Sequence, residues 1–168
     1  MARELELDPV DFITIGTVGP KGKRVFHLQA GRGPQIVTLT IEKEQARALS
    51  EELGELLEEL HKQFGSTLSP DAVDLHKWNM DLREPIEPQF RVVQMGLGYN
   101  DERDLVVLVA QEVVIGESEE DIAAADPQVV RLWCTRQQMR ALGLHAGQIV
   151  KQGRVDPQSN GQLLYYWT

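Results

Sequence analysis

The stretch PQIVTLTIEKEQARAL, Pro34 to Leu49, recurs 93 positions later as PQVVRLWCTRQQMRAL, Pro127 to Leu142. Eight of the sixteen pairs are identical, among them Leu39/Leu132, Gln45/Gln138 and Arg47/Arg140; average residue usage would give roughly one by chance. Each copy opens on a β-type run and passes into apolar residues at helical steps. In the first copy Ile41, Leu49, Leu53, Leu56, Leu60 and Phe64 are expected to share one helix face, with Glu51, Glu52, Glu55, Glu58 and Glu59 on the other. In the second copy Met139, Leu142, Ala146, Ile149 and Val150 do the same. Thr135 and Gln138 there have the spacing of a capping box. Gly143 and Gly147 weaken this helix by about 1 kcal/mol each relative to alanine.

Two further strand-like runs precede each copy: FITIG and RVFHLQA in the first half, FRVVQMG and DLVVLVAQEVV in the second. Gly16/Gly96, Leu28/Leu108 and Ala30/Ala110 match at an offset of 80, and the acidic segment GESEEDIAAAD supplies the difference. The chain therefore reads as an internally duplicated β-β-β-α unit. The expected fold class is α+β, with antiparallel sheet packed against two main helices and an approximate twofold relation between the halves. The first repeat covers about 11–65, a crossover 66–88, the second repeat about 89–152 and a tail 153–168. The crossover is polar, carries Pro70, Pro85 and Pro88, and has room for one short helix around Asp71 to Trp78. A unit of about 60 residues buries too little surface alone, so 1–168 is expected to form a single globular domain.

Charge narrows the partners. With a formal net charge of -9 over 168 residues, the chain lacks the cationic surface that binds a nucleic-acid backbone or an acidic membrane. The start MARELELDPVDF has no basic segment followed by an apolar one, and no run approaches the roughly 18 apolar residues of a membrane span. A cytoplasmic location is expected. The single cysteine, Cys134, excludes an internal disulfide and suits a reducing compartment.

GTVGPKGKR, Gly16 to Arg24, raises the question of a phosphate loop. Its spacing fails the G-x-x-x-x-G-K-[ST] pattern, and a strand rather than a helix follows, so no helix N-terminus faces the loop. The equivalent GLGYNDERD of the second half is also turn-like, so a hairpin turn accounts for both. The charge of the first turn remains distinctive. From Phe12 to Ile41 there is no acidic residue, while Lys21, Lys23, Arg24 and Arg32 fall within that window. If Gly31 to Pro34 returns beside the hairpin end, these four form a small anion site.

Other candidates carry less chemistry. His27 lies in a strand pattern, facing water or a sheet neighbour; His61 and His76 fall on the long helix and in the crossover. Cys134 and His145 have the residue types of a nucleophile pair. Cys134, however, occupies the place of Ile41 in the first copy, which favours a small buried apolar role. The acidic segments lack the spacing of a calcium loop. No catalytic residue, metal ligand or cofactor is assigned.

GTVGPKGKRVFHLQA, IEKEQARALSEELGELL, EPIEPQFRVVQMGLGY and the blocks RLWCTRQQMRAL and AGQIVKQGR, in that order from about Phe12 to Arg154, resemble a bacterial family. That family, best known from actinobacteria, carries only a domain-of-unknown-function label, domain of unknown function 3090. The resemblance implies no established activity. Its members tend to be encoded near histidine-phosphatase-like and kinase-like proteins, which points to phosphorylated metabolites or a shared complex. Family members commonly continue after the equivalent of Gly153 and Arg154 into a cysteine-rich, zinc-ribbon-like tail. Here VDPQSNGQLLYYWT holds no cysteine or histidine, so a zinc of that type has no thiolate or imidazole ligands. The expected function is a non-enzymatic protein-interaction or ligand-binding module of the bacterial cytosol, with a protein partner, a second copy or a small anionic ligand. The alternative is an accessory enzyme or sensor acting on a small phosphorylated metabolite or nucleotide.

Overall fold

Alternating burial along β-branched runs builds the sheet, and the computed structural model describes it over residues 3–65, 73–112 and 127–154. The strands are β1 (Arg3–Leu7), β2 (Phe12–Val18), β3 (Val25–Arg32), β4 (Gln35–Ile41), β5 (Pro88–Asn100), β6 (Leu105–Glu112) and β7 (Gln128–Cys134). Helix α1 (Lys43–Phe64) follows β4, and α2 (Arg136–Arg154) follows β7. One mixed sheet has the order β1-β7-β6-β5-β4-β3-β2. The fold is thus α+β, a seven-stranded mixed sheet with two helices.

Within β2-β3-β4 and within β5-β6-β7 the pairing is antiparallel. The purely antiparallel expectation needs correction at two joints. β4 runs parallel to β5, with Thr40 beside Arg91, and β7 runs parallel to β1, with Leu132 beside Leu7. Parallel neighbours require a crossover, and the connection from β4 to β5 contains α1. β1 and β2 form opposite edges of the sheet, yet only residues 8–11 separate them. So short a link spans at most about 18 Å, whereas a flat sheet of seven strands would set its edges about 29 Å apart. The sheet is therefore strongly curled. The link ties both sides: Val10 N–H donates to Trp133 O at 2.8 Å, and Asp11 N–H donates to Gly31 O at 2.7 Å.

Ile13, Ile15, Phe26, Leu28, Ala30, Val37, Leu39 and Ile41 of one half, and Val106, Leu108, Ala110, Val130, Leu132 and Cys134 of the other, form the core with both helices. From α1 come Ala46, Leu49, Leu53, Leu57 and Leu60. Leu57 takes the fully buried place expected for Leu56, and Phe64 is half-exposed against the ring of Tyr99 at 5.4 Å between centroids. The two glutamines of the repeated segment start the helices alike. Glu42 N–H donates to Gln45 Oε1 at 2.7 Å, and Thr135 N–H donates to Gln138 Oε1 at 2.8 Å. Each glutamine then reaches a neighbouring chain, Gln45 Nε2 donating to Val92 O and Gln138 Nε2 to Val10 O, both at 3.1 Å.

The opposite face of β2-β3-β4 is polar and also buried. Thr14, His27, Gln29, Thr38 and Thr40 lie there, so His27 is not open to water as one alternative held. The crossover covers this face. Leu82 sits where a Cβ on Gly16 would have to be, Thr14 Oγ1 donates to Met80 O at 2.6 Å, and the Arg83 guanidinium stacks 3.8 Å above the Phe12 ring. The only helical turn described in the crossover is a 3-10 turn over Leu75–Lys77, capped by Asp74. The segment GESEEDIAAAD and residues 155–168 of the expected tail lie outside the described residues, and α2 runs two residues past the expected end of the second repeat.

Candidate functional site

The stretch that resembled a phosphate loop is the turn between β2 and β3. Val18 pairs with Val25, and Lys23 N–H donates to Pro20 O at 3.0 Å. Gly19 has φ 107 and a Cβ there would stand 2.8 Å from Lys23 O, while Gly22 has φ 85, so the glycines serve the turn.

Its cations face two depressions. Lys21 and Arg24 share an open one of about 520 Å³ with Lys151 and Gln152 from the last turns of α2. Arg24 also lines a second, of about 240 Å³, together with Lys43 at the first position of α1, Arg91 of β5 and Glu42, over a floor that includes Phe26 and Ile41. Arg91 is paired with the Glu42 carboxylate, which also caps α1. Among the described residues, no carboxylate pairs with Lys21, Arg24 or Lys151. The helix start adds positive potential to this end of the molecule.

Of the four cations named from the sequence, Lys21, Lys23 and Arg24 share the turn, and Lys21 and Arg24 line the depressions. Arg32 does not join them. It lies at the other end of β3, about 23 Å away at the rise of an extended strand, and donates to Pro9 O at 2.8 Å. The expected return of Gly31 to Pro34 beside the hairpin end is replaced by a turn at the opposite end, with Gly33 N–H donating to Asp11 Oδ2 at 2.7 Å. Lys43 and Arg91 line one depression and Lys151 the other. They are far apart in the sequence and meet only because β4 lies parallel to β5 and α2 ends near the turn, a placement no local pattern announces.

The other candidates resolve plainly. Cys134 is fully buried, burial pushes its thiol far up from the usual range, and its sulfur lies 3.7 Å from Leu132 O, so it does not supply a thiolate. Among the described residues no group of three or more His, Cys, Asp and Glu side chains could hold a metal, and no helix is long and apolar enough to cross a membrane. A cavity of about 520 Å³ between the helices is lined by Arg47, Ser50, Gly54, Arg140, Gly143 and Gly147 among others, but Arg47 is already held by Glu44 and Glu51.

A curled mixed sheet around two helices, with a basic hairpin end, describes the class of protein. The chain belongs to the family described as Protein of unknown function (DUF3090), whose model matches residues 5–161. No curated protein and no solved structure matches it.

Proposed function

We propose that this protein is a non-enzymatic ligand-binding module of the bacterial cytosol, built by duplication of a β-β-β-α unit, that binds a small anion at the β2-β3 turn. One observation carries the reading: in a chain of net charge -9, Lys21, Arg24 and Lys151 converge on one open depression, and Arg24 reaches a second beside Lys43 and Arg91. Cys134 is buried with its thiol protonated, which speaks against a nucleophile pair with His145. Duplication with an approximate twofold relation is supported by Gln45 and Gln138, which perform the same two tasks, and by parallel joints that follow both β4 and β7.

The experiment is a thermal-shift screen of phosphate, sulfate, sugar phosphates and nucleotides. Binding raises the melting temperature with ligand concentration, and the rise is lost in a Lys21→Ala/Arg24→Ala variant that melts normally without ligand. If no anion moves the melting temperature, the reading fails, and the interaction of a protein partner or second copy becomes the one to test.

A further inference from the structure

We infer that residues 162–167, QLLYYW, return from the end of α2 and fill the groove between α1 and β5. The groove has a volume of about 250 Å³, and its apolar lining is Ala48, Leu49, Met95, Leu97, Leu108 and Val93, the last 54% exposed.

The other half of the molecule shows what occupies the matching place. Leu28 stands beside Ile15 and Leu39, and Leu108 beside Leu97 and Leu132, so Leu97 is the counterpart of Ile15. The β5-β6 turn is two residues shorter than the β2-β3 turn, which moves this match two positions on from the sequence pairing of Gly16 with Gly96. The counterparts of Phe12 and Thr14 are then Gln94 and Gly96, and the repeat pairs His145 with Glu52. The segment that follows α1 covers the first set. Arg83 stacks on the Phe12 ring, Met80 O accepts from Thr14 Oγ1, and the Asp81 charge acts on His145. Gln94, Gly96 and Glu52 all line the groove, which the described residues leave open. The segment that follows α2, as the crossover follows α1, is 155–168.

Reach and composition agree with this. Lys151 and Arg24 line one depression and Arg24 and Arg91 the next, so α2 ends near Arg91, and Val93 lies about 7 Å further along β5. Trp167 stands thirteen residues after Arg154, a length of chain that spans up to about 43 Å. Residues 157–168 carry no charged side chain and include Leu163, Leu164, Tyr165, Tyr166 and Trp167, whose burial against an apolar groove is favourable. The segment 113–126 also starts close by, since Glu112 pairs with Val92, but its five carboxylates would be brought towards Glu52.

Disulfide trapping in the full chain tests this, with Val93→Cys paired in turn with Gln162→Cys, Leu164→Cys, Tyr166→Cys or Thr168→Cys. Cys134 is fully buried and stays out of the exchange. At least one pair is expected to bridge within the monomer under mild oxidation. That bridge is expected to form at least ten-fold faster than one from the same tail cysteine to Arg91→Cys, which lies nearer the end of α2 and which an undocked tail would reach as readily. Leu163→Asp and Tyr165→Asp together, which leave the sheet and helices untouched, are expected to slow the bridge to Val93→Cys at least ten-fold. A bridge no faster than that to Arg91→Cys, a bridge that the two aspartates leave unchanged, or faster capture of Val93→Cys by Ile122→Cys overturns the inference. Covalent dimers in place of bridged monomers overturn it as well and assign the groove to a second copy.

Discussion

Ser50 Oγ donates to the carbonyl oxygen of Gly143 at 2.7 Å, and these two residues stand 93 positions apart, the spacing of the repeated segments. The helices thus touch at corresponding places, and the small residues there let them approach. A Cβ on Gly147 would lie 3.0 Å from Ser50 Oγ, whereas one on Gly54 would meet nothing within 4 Å. Gly54→Ala is expected to stabilise the protein by about 0.5–1 kcal/mol, the usual gain from removing a mid-helix glycine. Gly147→Ala is expected to lose that gain to the displaced hydroxyl and to recover it when combined with Ser50→Ala. Urea denaturation of the three variants and of Ser50→Ala alone checks this; equal gains for Gly54→Ala and Gly147→Ala as single changes would show that the crossing is not tight.

Gln29 pins the crossover to the sheet. Its amide accepts from Arg83 N–H at 2.7 Å and donates to Arg83 O at 2.8 Å and to Thr38 Oγ1 at 3.0 Å, and the side chain is fully buried. Gln29→Leu fills similar volume but leaves the Arg83 backbone groups without these partners, at an expected cost of about 1–3 kcal/mol. Proteolysis within 73–87 is expected to accelerate more than the loss of global stability accounts for, since the crossover is released first. Equal protease resistance in the variant and the parent would remove Gln29 from this role.

What could be read in advance follows a physical line. The start of α2 was legible because Thr135 and Gln138 cap locally, within three residues, whereas Ile41, expected on the face of α1, is the last residue of β4; the β2-β3 turn was legible because Gly19 and Gly22 satisfy a local backbone need. β1 went unread although Leu5 and Leu7 alternate with Glu4 and Glu6, because its partner β7 lies more than a hundred residues away and edge pairing leaves no local mark. Strand direction was equally hidden: side-chain alternation has the same period in parallel and antiparallel sheets, so the β4-β5 and β7-β1 joints could not be foreseen. Arg32 was grouped with Lys21 and Arg24 by composition, although the extended run between Arg24 and Arg32 already sets them about 23 Å apart or more. Lys43, Arg91 and Lys151 reach the site only through the tertiary fold.

Two histidines set the acid side of the stability profile. Burial holds both His27 and His145 below the ordinary histidine value of 6.5, and for His27 the Arg91 charge adds to the effect. A histidine depressed in the folded state binds more protons when unfolded, so stability is full above pH 6.5 and falls as pH drops through that value toward the folded one. Unfolding free energy measured from pH 7.5 to 5 is expected to decline, and the decline is expected to be shallower in His27→Leu. An identical slope in the variant would assign the loss to other groups. Asp8, held below the usual carboxylate range chiefly by its hydrogen bond from Arg103, adds a separate loss only at lower pH.

Asp104 combines a backbone need with a side-chain one. Its φ of 53 lies in the left-handed region, and its carboxylate receives both Tyr99 and Arg136. Asparagine tolerates that backbone conformation and alanine does not. Asp104→Asn therefore isolates the charge and is expected to cost less than about 1 kcal/mol, because the carboxylate is largely exposed, with 60% of its side-chain surface accessible. Asp104→Ala adds the strained backbone, about 1 kcal/mol or more beyond the asparagine variant. Asp104→Gly relieves the strain but loses the hydrogen bonds, and is expected to fall between the two. Denaturation midpoints in the order aspartate, asparagine, glycine, alanine confirm that both needs act at this position; alanine no worse than glycine would show that the turn relaxes and that the backbone contributes nothing.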